Sequence, residues 1–155
     1  MQGCKPIDTP LPGNWKKEDA TSTEVVDATI YRQLVGSLMY LVNTRLDICY
    51  AVKQLSQPMV KPTKIYWKVG KHVLRYLRGT SEYGLRYRQM DEVNLHGFMD
   101  VDWAGNPTDR KSTSGGVFSI ESTTVSWYNR KQRSLALSSA EAEYMATSQA
   151  ACEAI

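Results

Sequence analysis

Two short acidic stretches carry the side chains best suited to chemistry, GFMDVDWAG at residues 97–105 and SSAEAEYMA at residues 138–146. In the first, Asp100 and Asp102 alternate with Met99 and Val101, so on a strand they share a face. A carboxylate on a central strand is stable only where it is solvated, paired or bound to a cation. Glu141 and Glu143 stand two apart on a helix and point in different directions, so at most one of them joins a site built around Asp100. Carboxylates converging from a strand and a helix suit a divalent cation; solvated surface acids are the plain alternative.

A second cluster is positive. Lys64, Lys68, Lys71, Arg75 and Arg78 are spaced four, three, four and three apart, which places them in one stripe along a helix. Like charges in a line repel unless an anion is near, and the acids that usually interleave them are absent. The stripe therefore reads as a track for the phosphate backbone of nucleic acid, or as a solvated helix face. The wider charge pattern agrees with the first: residues 1–90 hold 14 Lys and Arg against 7 Asp and Glu, and residues 91–155 hold 5 against 9.

The elements that must position these groups follow from periodicity. Residues 1–24 are rich in Pro, Thr, Lys and Asp and read as an extended tether with little fixed structure. Asp27 is an N-cap for a helix whose apolar face is Ile30, Leu34, Leu38 and Leu41, widened by Val35 and Met39. Thr44 and Asp47 form a capping-box pattern before a short helix carrying Ile48, Val52 and Leu55 and ending at Pro58. A third helix enters through KPT and leaves at Gly79, whose freedom at positive φ suits a helix end; its apolar side is Tyr66, Val69, Val73 and Leu77. Period-two alternation then begins at Tyr83, Leu85 and Tyr87. LHGFMDVDW, GGVFSIES and TTVSWYN read as strands, with a hairpin near residue 122. Ser138 or Ser139 caps a final alanine-rich helix.

The fold class is thus α+β, with a tether (1–26), a helical segment (27–90) and a sheet-plus-helix segment (91–155). An apolar content of 42% belongs to ordinary globular protein. No stretch suits a membrane span or a signal peptide, so no membrane partner is expected. Cys4, Cys49 and Cys152 have the spacing of neither a disulfide framework nor a zinc site.

GFMDVDWAGNPTDRKSTSGGVFS and TVSWYNRKQRSLALSSAEAEYMATSQAACEA resemble the start of ribonuclease H in copia-type retrotransposon polyproteins. CKPIDTPLP, YRQLVGSLMYLVNTRLDICYAV and HVLRYLRGTSEYGLRY are similar to the end of the reverse transcriptase region of the same polyproteins, so the resemblance covers nearly the whole chain. Leu46 stands where that family usually has proline, and Tyr66 stands where it usually has histidine. The resemblance implies that Asp100 matches the first catalytic Asp and Glu143 the helix Glu. Asp102, Glu141 and Asp109 remain neighbours without a role. In the family these acids and two further aspartates hold a pair of magnesium ions that hydrolyse the RNA strand of a hybrid. Both further aspartates would lie beyond Ile155, so stable magnesium binding and nuclease activity are not expected, whereas nucleic-acid binding is.

Arg75, Tyr76, Leu77 and Arg78 also fit the RxLR tetrapeptide used to catalogue secreted effectors of oomycete plant pathogens. That resemblance implies delivery into a host cell, an unknown host protein as partner, and a role in suppressing defence or cell death. A retroelement product would stay intracellular. The tetrapeptide equally fits a helix with Leu77 on its apolar face and both arginines on its basic stripe.

Overall fold

A computed structural model describes residues 3–13, 15, 24–89, 93–105 and 109–155. The chain divides into two compact units, Met1–Gly84 and Leu85–Ile155. The architecture is mixed α+β: helices in the first unit, then a three-stranded antiparallel sheet and one helix in the second.

In the first unit, α1 spans Ala28–Leu41, α2 Cys49–Leu55 and α3 Lys64–Gly79, with a 3-10 turn at Leu46–Ile48 leading into α2. Asp27 caps α1 as its type predicts, its Oδ1 accepting from the Thr29 and Ile30 amides at 2.7 and 3.4 Å. The buried face of α1 is Tyr31, Val35 and Leu38, rotated from the expected one. Ile30 and Met39 are each 51% exposed. Tyr31 wins the interior because its hydroxyl donates to the Leu55 carbonyl at 2.6 Å, satisfying an acceptor that the end of α2 leaves open.

The Thr44–Asp47 capping box does not form. Thr44 Oγ1 donates back to the Leu41 carbonyl, and Asp47 is taken by Arg45 instead. On α3 the buried set is Ile65, Val69, Gly70, Val73 and Tyr76, so Tyr66 and Leu77 lie on its flanks. Gly70 faces Leu34 so closely that a Cβ would stand 2.9 Å from its side chain, which sets how near α1 and α3 approach.

Gly79 has no positive φ; its smallness matters because a Cβ would stand 2.9 Å from Pro6. That contact corrects the tether expectation for residues 3–13; residues 1, 2, 14 and 16–23 of the expected tether lie outside the described residues. Residues 3–13 form no helix or strand, yet they are strapped across α3, with Leu11 against the core. Trp15 is buried edge-on against Tyr66.

In the second unit, β1 (Leu95–Asp102), β2 (Thr113–Ile120) and β3 (Thr123–Lys131) lie in that spatial order. The β2–β3 hairpin turns at Glu121 and Ser122, with Glu121 at φ 50°. Residues 83–89, expected to alternate as a strand, join no ladder, and Tyr83 and Tyr87 are exposed. Helix α4 (Ser139–Ala154) lays Ala142, Ala146 and Ala150 on the sheet, where Phe118 and Tyr128 meet Ala150. A Cβ on Gly116 would collide with the Tyr128 ring, so the ring keeps its place only because residue 116 is glycine.

Candidate functional site

Asp100 sits in β1 opposite Gly115, and Asp102 sits opposite Thr113; both are exposed. A Cβ on Gly97 would stand 3.0 Å from the Phe118 ring, and Thr147 Oγ1 on α4 lies 3.4 Å from Met99 Sδ. The odd-numbered residues of β1 therefore face α4, and alternation turns Asp100 and Asp102 to the other face. Glu143 is exposed on α4, one turn before Thr147. Strand and helix are adjacent, but the Asp100 side chain leaves the strand on the side away from the helix that carries Glu143.

The neighbouring acids have local work. Glu141 accepts from the Leu137 amide at 2.7 Å while its own amide donates to Ser138 Oγ at 3.1 Å, so it helps to cap α4. Asp109 binds Lys131 Nζ at 2.6 Å, and that hydrogen bond holds its carboxyl below the usual range. The Asp102 carboxylate lies where a Cβ on Gly105 would sit. Magnesium asks for near-octahedral oxygen coordination. Among the described residues no three His, Cys, Asp or Glu side chains are grouped to hold a metal ion.

On α3, Lys64, Lys68, Lys71 and Arg78 are exposed and Arg75 is half-buried. Lys64 Nζ is paired with the Glu24 carboxylate at 2.8 Å. Arg75 Nε donates to the Lys5 carbonyl at 2.9 Å and an Arg78 guanidinium nitrogen to the Cys4 carbonyl at 2.6 Å, which is how the strap is held. Lys71 lies over the Trp67 ring. A carbonyl restrains a cation without neutralising it. Lys68, Lys71 and Arg75 have no carboxylate partner among the described residues, and α3 itself contains no acid.

Within the tetrapeptide, Tyr76 is 6% exposed and Leu77 half-buried. Tyr76 belongs to a network that residue spacing did not reveal. Arg45 grips Asp47 through Nε at 2.9 Å and a terminal nitrogen at 2.6 Å, and it also donates to the Thr80 carbonyl and hydroxyl at 2.9 and 2.6 Å. Tyr76 adds its hydroxyl to Asp47 Oδ2 at 2.7 Å. The Arg45 hydrogen bonds lower the Asp47 pKa, and those with Asp47 raise that of Arg45. Burial pushes the Tyr76 hydroxyl up. This bidentate pair, with Arg45 buried and Asp47 partly open to water, joins the 3-10 turn to the end of α3. The TRLD string was its only trace in the sequence, and it reads equally as a helix cap.

Among the described residues no helix is long and apolar enough to cross a membrane. The chain is 40% identical over 153 residues to a retrovirus-related Pol polyprotein from transposon RE2 of Arabidopsis thaliana, covering 99% of this chain and 10% of that protein. It is 38% identical over 162 residues to the Pol polyprotein from transposon TNT 1-94 of Nicotiana tabacum, covering 12% of that protein. It is also 47% identical over 126 residues to secreted RxLR effector protein 161 of Plasmopara viticola, covering 81% of this chain and 89% of that one. The chain thus spans about a tenth of the length of the Pol polyproteins it matches. No family profile and no solved structure matches it.

Proposed function

The chain belongs with the retrovirus-related Pol sequences of copia-type transposons and shares a family with secreted RxLR effector protein 161, and on that premise we propose that it is a non-catalytic nucleic-acid-binding segment. It is transposon-derived. In this reading the first unit corresponds to the end of a reverse transcriptase, and the second to the opening part of a ribonuclease H with Asp100 and Glu143 at its catalytic positions. The observation that carries binding is the line of Lys68, Lys71 and Arg75 on an acid-free helix. Successive phosphates can neutralise these charges and release counterions, which gives sequence-independent affinity that falls with salt.

Catalysis is a separate matter. Two carboxylates on different elements, one of them turned away from the other's helix, leave a magnesium ion mostly to water. The 155-residue chain should show no magnesium-dependent cleavage of an RNA–DNA hybrid. Turnover that Asp100→Asn abolishes would overturn this half of the reading.

A second reading, an effector delivered into a host cell, is favoured by one observation: the match to the effector covers most of that protein's length. Under it Arg75, Tyr76, Leu77 and Arg78 would form an address. Here the two arginines are engaged by the strap and Tyr76 is buried, so a receptor would have to displace residues 3–13 first. Loss of host-cell delivery in Arg75→Ala/Arg78→Ala, with delivery retained in Lys64→Ala/Lys68→Ala and both proteins folded, would select the effector reading.

A further inference from the structure

The second unit holds a pocket of about 380 Å³ lined by Arg130, Lys131, Gln132, Arg133, Met145 and Gln149. The first four come from the end of β3 and the residues after it, and the last two from α4. The pocket lies on the opposite flank of α4 from Glu143, on the row that Glu141 begins. Met145, Gln149 and Glu153 recur every four residues on one row, and Glu153 lies 3.7 Å from Arg130 on β3. Glu143 and Thr147 form the row that meets Met99 of β1.

Charge around the pocket is unbalanced. Arg130, Lys131 and Arg133 line it, and Lys111 Nζ donates to the Arg133 carbonyl at 2.6 Å. Against these four cations stand Asp109, tight on Lys131 at 2.6 Å, and Glu153, which is 3.7 Å from Arg130 and too far for a strong hydrogen bond. Two positive charges are left over. The segment is also fixed in place: the Gln132 amide donates to the Ser112 carbonyl, and its Nε2 donates to Ser114 Oγ and the Ala142 carbonyl, all at 2.9 Å. Gln132 Oε1 is buried with no donor among the described residues. A backbone fixed beside a concave wall leaves less to order when its cations meet an anion.

We propose that this pocket binds a nucleotide through its phosphate. Arg130 and Arg133 take the phosphate, for which the planar guanidinium is the better fit. The space exceeds what an inorganic anion needs and falls in the range of small-molecule sites. Met145 supplies an apolar wall for the base, and the Gln149 amide a hydrogen-bonding edge. The same chemistry is offered by a free nucleotide and by the phosphorylated 5′ end of a strand. This site is independent of the α3 stripe.

Calorimetric titration of the full chain with AMP, adenosine and inorganic phosphate tests it. AMP should bind at least about ten-fold more tightly than either of the others, the scale of one charge-assisted contact. Arg133→Ala, an exposed position, should weaken AMP by about ten-fold or more while the circular dichroism spectrum stays unchanged. Lys68→Ala/Lys71→Ala should leave AMP affinity as it was, so a failure of the α3 reading would appear only in polynucleotide binding. A 5′-phosphorylated oligonucleotide that displaces AMP better than its 5′-hydroxyl form identifies a strand end, and equal weak displacement by both identifies the free nucleotide. AMP binding no tighter than adenosine, or unchanged in folded Arg133→Ala, overturns the proposal.

Discussion

The helical unit buries its most strongly coupled charges, while the sheet unit leaves its family-matched acids in the open. Arg45 is 7% exposed, and four hydrogen bonds to Asp47 and Thr80 occupy its guanidinium. Asp100 and Glu143 are exposed, and neither carboxylate has a hydrogen bond or ion pair among the described residues. The contrast separates two reasons for a carboxylate to be present. Asp47 is explained by what it holds together, and removing it should damage the fold. Asp100 is held by no contact among the described residues, and removing it should leave the fold as stable as before.

The sharpest break of that comparison is substitution. Asp47→Ala strands the Arg45 guanidinium in a nearly dry site, and breaking buried pairs in this way costs about 3 kcal/mol or more. The Asp47 side chain is 32% exposed, so water recovers part of the loss and the lower end is expected. Asp100→Asn should fall within about 0.5 kcal/mol of the parent, as exposed positions do. Urea denaturation of both variants checks the pair. Equal losses would erase the distinction.

Gly116→Ala comes next. Its new methyl group meets the Tyr128 ring, and overpacking of this kind costs about 1–3 kcal/mol. A thermal midpoint unchanged from the parent would mean that the ring can move aside, and that the sheet unit is looser than its packing suggests.

A smaller effect is pH-dependent. Asp47 has its folded pKa lowered, chiefly by the hydrogen bonds from Arg45. Its stabilisation is therefore complete above the ordinary carboxylate pKa of about 3.9 and is lost as pH falls through the lowered folded value. The parent should lose stability across that acid window, and Asp47→Asn should lose less of it. Parallel acid profiles would show that the carboxylate is not what titrates.

The sequence made much of this legible, and its failures share a cause. Asp27 and Ser138 cap their helices because a short side-chain oxygen at a helix start has one good use. The three strands follow from alternation, and α1 and α3 from period. Tyr31 and Tyr76 were left out of the expected apolar faces because an apolar ring with a polar tip enters the interior only if a distant partner meets its hydroxyl. For Tyr31 that partner is the Leu55 carbonyl, and for Tyr76 it is Asp47. The strap failed for the same reason. Arginines bonded to carbonyls some seventy residues away leave no periodic mark. The stripe on α3 was visible, but the pinning of Arg75 and Arg78 was not. Position along the chain predicts faces; contacts across it decide which charges stay available.

That availability is what the proposed nucleic-acid binding depends on. The direct measurement is the salt dependence of affinity for a DNA duplex, compared between the parent chain and Lys68→Ala/Lys71→Ala. If these lysines meet phosphates, the plot of log affinity against log salt should be shallower in the variant by about 0.9 for each lysine removed, with the fold intact. Affinity indifferent to salt in the parent, or an unchanged slope in the variant, would contradict a phosphate track on α3.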